Sequence, residues 1–174
     1  LNKNLTDTFT SEGTYPWSKN SNGIWTSGNY NIDSSTSEMT SEEFTVSEDG
    51  GILQLNWTVS CELYDDYLYG EIINTTTNST EKTTIKLNGT YYATTYWNDY
   101  TESDLIYMNT KVELHQGTYK LKIIYSKDAS TNEKLDKGYV REVKIYDRKN
   151  NGNTDTIQNH KYGGFVIYEG TEEV

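Results

Sequence analysis

Cysteine, histidine and long apolar runs are the clearest absences from this sequence of 174 residues. Cys61 is the one cysteine, so no intramolecular disulfide can form, and we expect it to be a small buried apolar residue rather than a reactive thiol. No apolar run reaches the length of a transmembrane helix, and the residues show no signal-peptide or lipidation pattern. We therefore expect no membrane insertion, and a domain that belongs to a larger multidomain protein, without its targeting segments.

Enzyme motifs are absent as well. The sequence has no glycine-rich phosphate loop, no His-Glu-x-x-His helix, no Gly-x-Ser-x-Gly elbow and no paired-cysteine zinc signature. His115 and His160 are the only histidines, and they lie in different contexts. The Glu-x-Asp-x-x-Glu strand motif expected of laminarinase-like hydrolases is also missing, although acidic residues are plentiful. We expect no catalytic residues and no enzymatic activity.

Helix-favouring residues are scarce, whereas strand-favouring and turn-favouring residues are abundant. Ala, Met and Gln are few, while Tyr occurs 16 times beside many Thr, Ser and Asn residues. Aromatic and β-branched side chains suit the pleated surface of a sheet, and no long segment has apolar residues at helical spacing. The length suffices for one substantial core. The composition predicts one all-β domain.

Positive charge is also in short supply. Fifteen Lys and Arg residues against 26 Asp and Glu residues give a net charge of -11. This charge repels nucleic-acid phosphates, anionic lipids and strongly anionic polymers, so a sugar ligand would be a neutral one. Low hydrophobicity and strong acidity indicate an extracellular or cell-surface location.

Alternating apolar and polar residues predict the strands. The segment from Leu53 to Leu63 alternates throughout, which predicts a half-buried strand with one wet face, paired in a hairpin with residues 44–46 across the Glu48–Gly51 turn. Further strands are predicted at residues 67–73, 83–87, 105–114, 119–125, 142–145 and 165–168. Many short strands between polar turns favour a two-sheet antiparallel β-sandwich. We expect residues 1–147 to form this sandwich and residues 148–174 to form a linker with a possible added edge strand.

A ring-rich segment near the middle of the chain is the main candidate binding site. It consists of Tyr91, Tyr92, Tyr96, Trp97, Asn98, Asp99 and Tyr100, with Ala and Thr between. Aromatic rings stack on the apolar faces of sugar rings, while amides and carboxylates receive the hydroxyls. We predict Trp97 as the platform, the tyrosines as further rings, and Asn98 and Asp99 as hydrogen-bonding neighbours.

The same segment has a structural interpretation. The ring-rich segment is also consistent with an aromatic strand whose alternate rings face the interior. In that case only half of the rings would reach a ligand. Among the other tryptophans, Trp57 lies in the apolar stripe of the best strand and is predicted to be a core residue. Trp17 and Trp25 either cover an edge of the sandwich or line a cleft.

Acidic residues recur in two predicted turns. Asp65 and Asp66 lie in one, and Asp128 and Asp136 in the other. Together they form a candidate structural calcium site, but their spacing lacks the regularity of an EF-hand loop, and a solvated turn is the preferred explanation. No cofactor is required by any motif.

The order of several short motifs resembles a known family. The segments are Tyr15-Pro16-Trp17, Trp25-Thr26-Ser27-Gly28, Ser34-Ser35-Thr36-Ser37, the strand from Leu53 to Ser60, the turn from Glu62 to Tyr67, residues 125–130, and Asp136-Lys137-Gly138-Tyr139-Val140. They resemble the jelly-roll, concanavalin-like domains of secreted and surface proteins of Gram-positive gut anaerobes, over roughly Asp7 to Asp147.

The resemblance implies an accessory binding role. Such domains are carbohydrate-binding or adhesive modules of polysaccharide-degrading and cell-surface assemblies, including starch-binding systems. This chain departs from the pattern between Leu87 and Leu105 and again beyond Asp147. The sequence thus favours a non-catalytic module that binds a neutral polysaccharide, with starch-like α-glucan as the preferred ligand. The alternatives are a protein-binding adhesin and a structural spacer.

Overall fold

The computed structural model consists of two antiparallel β-sheets. It describes residues 3–61, 65–76, 82–86, 102–129, 135–148, 160–162 and 165–171; for residues 82–86, 104, 160–162 and 165–171 it gives the course of the backbone. In these residues the strands are β1 (Lys3–Asn4), β2 (Ser18–Lys19), β3 (Trp25–Thr26), β4 (Thr36–Thr40), β5 (Phe44–Val46), β6 (Gly51–Ser60), β7 (Tyr67–Asn74), β8 (Lys82–Lys86), β9 (Met108–Leu114), β10 (Gly117–Ser126), β11 (Lys137–Asp147), β12 (His160–Tyr162) and β13 (Phe165–Thr171). Two 3₁₀ helices span Thr6–Thr8 and Glu102–Asp104.

The strands divide between a larger and a smaller sheet. The larger sheet has the order β12-β13-β9-β6-β11-β3-β2, with β1 also paired to β11. The smaller sheet has the order β4-β10-β7-β8, with β5 also paired to β10. Neighbouring strands are antiparallel throughout. The prediction of an all-β chain with two antiparallel sheets is confirmed.

One buried cluster joins the inner faces of the two sheets. Leu53, Leu55 and Val59 contribute from the larger sheet, and Leu121 and Ile123 contribute from the smaller one. The alternation of apolar residues places them all on the inner faces because successive side chains of a strand point to opposite sides. Burial of these side chains supplies the main stabilisation of a fold that cannot form a disulfide.

Three of the tryptophans belong to this core or cover it. Trp57 is buried as predicted, and its indole N–H donates to Thr110 Oγ1 at 2.9 Å. Trp17 is buried too, with its indole N–H donating to the carbonyl of Ser37. Trp25 is half-buried and packs against the core. These three rings are therefore structural.

The predicted hairpin between residues 44–46 and β6 is wrong. β5 pairs with β10 in the smaller sheet, whereas β6 pairs with β9 and β11 in the larger one. Both segments carry apolar residues on one face, and placing them in facing sheets points both faces into one core. Gly50, with a φ of +82°, turns the chain from one sheet to the other, and Gly51 lies so close to Val46 that a Cβ there would contact its side chain at 3.1 Å.

The predicted wet face of β6 is also wrong. Asn56, Thr58 and Ser60 are buried on the outer side of the larger sheet. The chain around Leu105 and Tyr107 crosses this outer side and forms a second, small apolar cluster there; the cluster is completed by Tyr139, Leu135 and Ile24. Alternation alone does not reveal a cover supplied by a distant segment of the chain.

Polar contacts hold this cover in place. The Tyr139 hydroxyl donates to Glu102 Oε1 at 3.1 Å, and the Arg141 guanidinium lies 4.2 Å from the centre of the Tyr107 ring. Arg141 also donates to Asn56 Oδ1 at 2.7 Å. The buried amide of Asn56 is thereby satisfied by the neighbouring strands, since its nitrogen also donates to Asn109 Oδ1 of β9 at 3.0 Å.

The C-terminal residues extend the larger sheet. β13 pairs with β9 over six register positions, and β12 pairs with β13 at the edge. The short strand predicted at residues 165–168 is therefore present, and it is longer than predicted.

The cover over β6 can be tested with two neighbouring residues. We expect Leu105→Ala to lower the free energy of unfolding by about 2 kcal/mol, since Leu105 is 8% exposed and its truncation leaves a cavity. Ile106→Ala is the matched control: Ile106 is 57% exposed, so its change should stay within about 0.5 kcal/mol. Denaturant titration measures both, and equal effects would contradict a packed cover.

Candidate functional site

The ring-rich segment predicted as the binding site lies outside the described residues. This applies to Tyr91, Tyr92, Tyr96, Trp97, Asn98, Asp99 and Tyr100. The described residues on its two sides belong to different parts of the fold. β8 pairs with β7 in the smaller sheet, and Glu102 lies on the outer side of the larger one.

An open groove lies beside strand β4 in the described part of the chain. Its volume is about 420 Å³, comparable with small-molecule sites. The loop before Pro16 forms one wall and the loop before β4 forms the other. The lining residues are Glu12, Gly13, Thr14, Tyr15, Ile32, Asp33, Ser34, Ser35, Thr36 and Glu38.

The wall before β4 is a strained loop held from beneath. The buried side chain of Asn29 donates to the carbonyls of Ser35 and Tyr125, both at 3.1 Å. Asn31 and Ser34 adopt positive φ angles of 57° and 52°, which residues other than glycine rarely adopt. Strain of this kind persists only where the surroundings enforce it, and it is concentrated at functional sites.

The strained loop directs apolar side chains into solvent. Tyr30 is 51% exposed and Ile32 is 38% exposed. The Lys137 ammonium lies 5.2 Å from the centre of the Tyr30 ring, a cation–π distance that limits the ring's freedom. Ile32 itself lines the groove. The loop therefore exposes an aromatic ring to solvent and presents the aliphatic side chain of Ile32 to the groove.

The opposite wall is fixed by close backbone packing. The Ser37 hydroxyl donates to the carbonyl of Tyr15 at 2.6 Å, and the backbone N–H of Trp17 donates to Ser11 Oγ at 2.8 Å. Gly28 lies against this wall, where a Cβ would sit 2.1 Å from the carbonyl oxygen of Pro16. Only glycine allows this approach, so the wall has little freedom to shift.

The lining chemistry suits a hydroxyl-rich ligand without negative charge. Glu12, Asp33 and Glu38 supply carboxylates that accept hydrogen bonds, the serine and threonine side chains supply hydroxyls, and Tyr15 and Ile32 supply apolar area. The lining contains no Lys, Arg, His or Cys. Phosphates and polyanions find no counter-charge there, and no nucleophile is paired with a base.

A fully buried ionic cluster lies beneath the strained loop. Lys127 Nζ is 2.6 Å from Asp136 Oδ2 and 3.5 Å from Asp66 Oδ2, and the three side chains are fully buried. The Tyr125 hydroxyl donates to Asp136 Oδ1 at 2.8 Å, and the backbone N–H of Asn31 donates to Asp136 Oδ2 at 2.7 Å. The loop that forms the groove wall is thereby tied to the cluster.

These contacts correct the interpretation of the acidic turns. Asp66 and Asp136 are buried rather than solvated, and the positive charge between them is the ammonium of Lys127. Asp65, by contrast, is exposed. Among the described residues no group of three or more His, Cys, Asp or Glu side chains is arranged to hold a metal ion.

Burial shifts the protonation equilibria of the cluster. It raises the pKa of Asp66, because a charged carboxylate is poorly stabilised away from water. Burial lowers the pKa of Lys127, but Asp136 and Asp66 outweigh it and leave the pKa of the ammonium above its ordinary value. Burial also raises the pKa of the Cys61 thiol, which agrees with the expected buried apolar residue.

The sequence analysis missed the groove, and it missed Lys127 as the partner of Asp66 and Asp136, which it had assigned to a candidate calcium site. The groove joins residues 12–15 to residues 32–38, and no local pattern predicts that contact. The cluster did leave a signal. Tyr125 faces the core in β10, so a period of two places Lys127 on the same inner face, where a lysine needs an anionic partner.

Comparisons with known proteins leave the family open. No protein-family model matches the sequence, and no curated protein matches it significantly. Within the described residues, no helix is long and apolar enough to cross a membrane.

The buried ion pair can be tested against an exposed one. We expect Lys127→Met to lower the free energy of unfolding by about 3–5 kcal/mol, because it leaves buried carboxylates without their cation. Lys122→Met is the control: Lys122 is partly exposed, lies 3.8 Å from Glu38, and should cost no more than about 1 kcal/mol. Denaturant unfolding at neutral pH measures both changes in the free energy of unfolding. Equal changes for the two variants would contradict a stabilising role of the buried cluster.

The raised pKa of Asp66 predicts a pH dependence. A carboxyl whose folded pKa exceeds its unfolded value contributes stability that is fully present below the unfolded value and is lost as the pH rises through the folded pKa. We therefore expect the stability of the natural protein, relative to Asp66→Asn, to decline as the pH rises from the ordinary value of 3.8. Denaturant titrations across the acidic range measure this difference. A relative stability that rises with pH would show that the pKa is lowered instead.

Proposed function

We propose that this chain is a non-catalytic carbohydrate-binding module of a secreted or cell-surface protein, and that it recognises a neutral polysaccharide. Starch-like α-glucan is the preferred ligand within this class. The module acts through aromatic stacking and side-chain hydrogen bonds, needs no cofactor, and works as one part of a multidomain protein.

The groove beside β4 is the observation that carries the proposal. It is open, rigidly walled and lined by carboxylates and hydroxyls, with Tyr15 and Ile32 as apolar surface. Carboxylates accept hydrogen bonds from sugar hydroxyls, and such charge-assisted bonds are stronger than neutral ones. An open groove also admits a polymer along its length, which a closed pocket does not.

The ring-rich segment supplies the stacking platform in this proposal. Trp97 is the first platform, with Tyr91, Tyr92, Tyr96 and Tyr100 as further rings and Asn98 and Asp99 as hydrogen-bonding neighbours. The composition of the segment supports this assignment, since it mixes rings with amides and hydroxyls rather than with Leu or Ile.

The topology supports a jelly roll, the architecture that the resemblance implies. The strands pair in nested fashion: β3 with β11, β4 with β10, β6 with β9 and β7 with β8. A long hairpin of eight strands that folds over on itself gives this nesting and divides its strands between two sheets. Domains of secreted lectins are among those that use this architecture.

A protein-binding adhesin is the second candidate, and one observation favours it. Tyr30 and Ile106 each expose more than half of their surface. Exposed aromatic and aliphatic residues of this kind are frequent in protein interfaces. Competition separates the two functions, because a soluble oligosaccharide displaces a glycan contact and leaves a protein contact intact.

Affinity electrophoresis tests the proposed function. The isolated chain is run through gels that contain starch, xylan, β-glucan, mannan or mucin, and we expect selective retardation in a neutral glucan gel. Trp97→Ala should weaken that binding at least tenfold with an unchanged melting temperature, because the stacking platform is lost. Retardation in no gel would contradict the carbohydrate-binding function itself.

Two carboxylate variants show whether the groove takes part. Asp33→Ala removes an exposed groove carboxylate, and Glu43→Ala removes an exposed carboxylate outside the lining. We expect Asp33→Ala to be retarded less than the natural protein and Glu43→Ala to be retarded as much as the natural protein. Equal behaviour of these two variants, with loss of binding in Trp97→Ala, would place the ligand on the ring-rich segment alone.

A further inference from the structure

The buried cluster holds two carboxylates around one ammonium. Lys127 Nζ faces Asp136 at 2.6 Å and Asp66 at 3.5 Å, with all three side chains fully buried. A simple ion pair needs one carboxylate, and a second buried one leaves an excess negative charge in the core, which is costly. The stoichiometry therefore indicates a task for the additional carboxylate beyond charge neutralisation.

We propose that Lys127 and Asp136 condense to an intramolecular isopeptide bond, with Asp66 as the proton carrier. The amine is the nucleophile, the Asp136 carboxyl carbon is the electrophile, and water is the product that leaves. This inference is independent of the proposed carbohydrate binding.

The reacting groups are already in place. The 2.6 Å contact brings the amine to its carboxyl partner, and fixed neighbours of this kind react as if at very high concentration. The Asp136 carboxyl group is held at both oxygens, by the Tyr125 hydroxyl at Oδ1 and by the Asn31 N–H at Oδ2. Asp66 is oriented by the backbone N–H of Asp128, which donates to its Oδ1 at 3.0 Å.

The step balances without any further reagent. Asp66 accepts a proton from the Lys127 ammonium, and the freed amine attacks the Asp136 carboxyl carbon. The developing charge on Oδ1 is stabilised by the Tyr125 hydroxyl, as in an oxyanion hole. Oδ2 takes two of the three ammonium protons, one of them through Asp66, and leaves as water when its bond to carbon breaks. The remaining proton stays on the amide nitrogen.

Desolvation favours the product. The reaction replaces a buried ammonium and a buried carboxylate by a neutral amide, which removes two charges from a region without water. Asp66 returns its proton in the step and loses its cation, and burial already raises its pKa. It can therefore take up one proton from solvent and remain in the product as a neutral acid beside the new amide.

The bond would join the two sheets covalently. Lys127 directly follows β10 of the smaller sheet, and Asp136 directly precedes β11 of the larger one. The link would bypass residues 128–135, so a cut in the chain between them would not separate the strands. In a protein without a disulfide, this is a crosslink that no reductant can open.

Intact-mass measurement of the purified, denatured chain tests the proposal. We expect a mass lower than the sequence mass by one water. Trypsin should cut the denatured chain after Lys134 but not after Lys127, and the peptides on the two sides of that cut should stay joined. A folded protein at full sequence mass would overturn the proposal, and a link from Lys127 to Asp66 would overturn the assignment of Asp136.

Two variants separate the roles. Lys127→Arg keeps the charge but lacks the reactive amine, so it should show the full mass, whether or not it is as stable. Asp66→Asn keeps the pair of Lys127 with Asp136 but removes the proton carrier, and it should fold and retain the full mass. Loss of water from Asp66→Asn at the rate of the natural protein would exclude Asp66 as the carrier.

Discussion

The contact between Lys127 and Asp136 is the interaction on which the site region of this fold depends. It lies where the chain leaves the smaller sheet and enters the larger one, and Asp66 joins it from the turn before β7. Asp136 also accepts a hydrogen bond from the backbone N–H of Asn31, so the same carboxylate anchors the loop that forms one wall of the groove. A contact in the core thus holds one wall of an exposed groove in place.

Alternation of side chains predicted the longest strands but not β1 to β4, and it did not predict what surrounds each strand. β6, β10 and β11 lie where the apolar periodicity places them, because a strand with one buried face must alternate. The same periodicity gave no indication that Thr58 and Ser60 are buried as well. Their cover comes from residues around Leu105, and a contact over such a sequence separation has no local signature.

Pairing between strands escaped the sequence for a related reason. The turn at Gly50 is equally compatible with a hairpin and with a crossing between sheets, since either path buries Val46 and Leu53. The groove could not be predicted for the same reason. Its two walls meet because the Ser37 hydroxyl donates to the carbonyl of Tyr15, and neither segment has a sequence pattern that predicts this contact. The lining of the groove comes together through tertiary contacts, which composition does not reveal.

The packed cover on the outer side of the larger sheet has a mechanical consequence. Residues 87–101 are attached at one side to β8, which pairs by backbone hydrogen bonds with β7, and at the other to the cover around Leu105 and Tyr107. A pulling force applied to that stretch would thus divide between the two sheets. The apolar cover resists it through side-chain packing and the Tyr139 hydroxyl bond, while β8 resists it through its ladder. Tension on that stretch is thus shared between a hydrogen-bonded ladder and a packed apolar cluster.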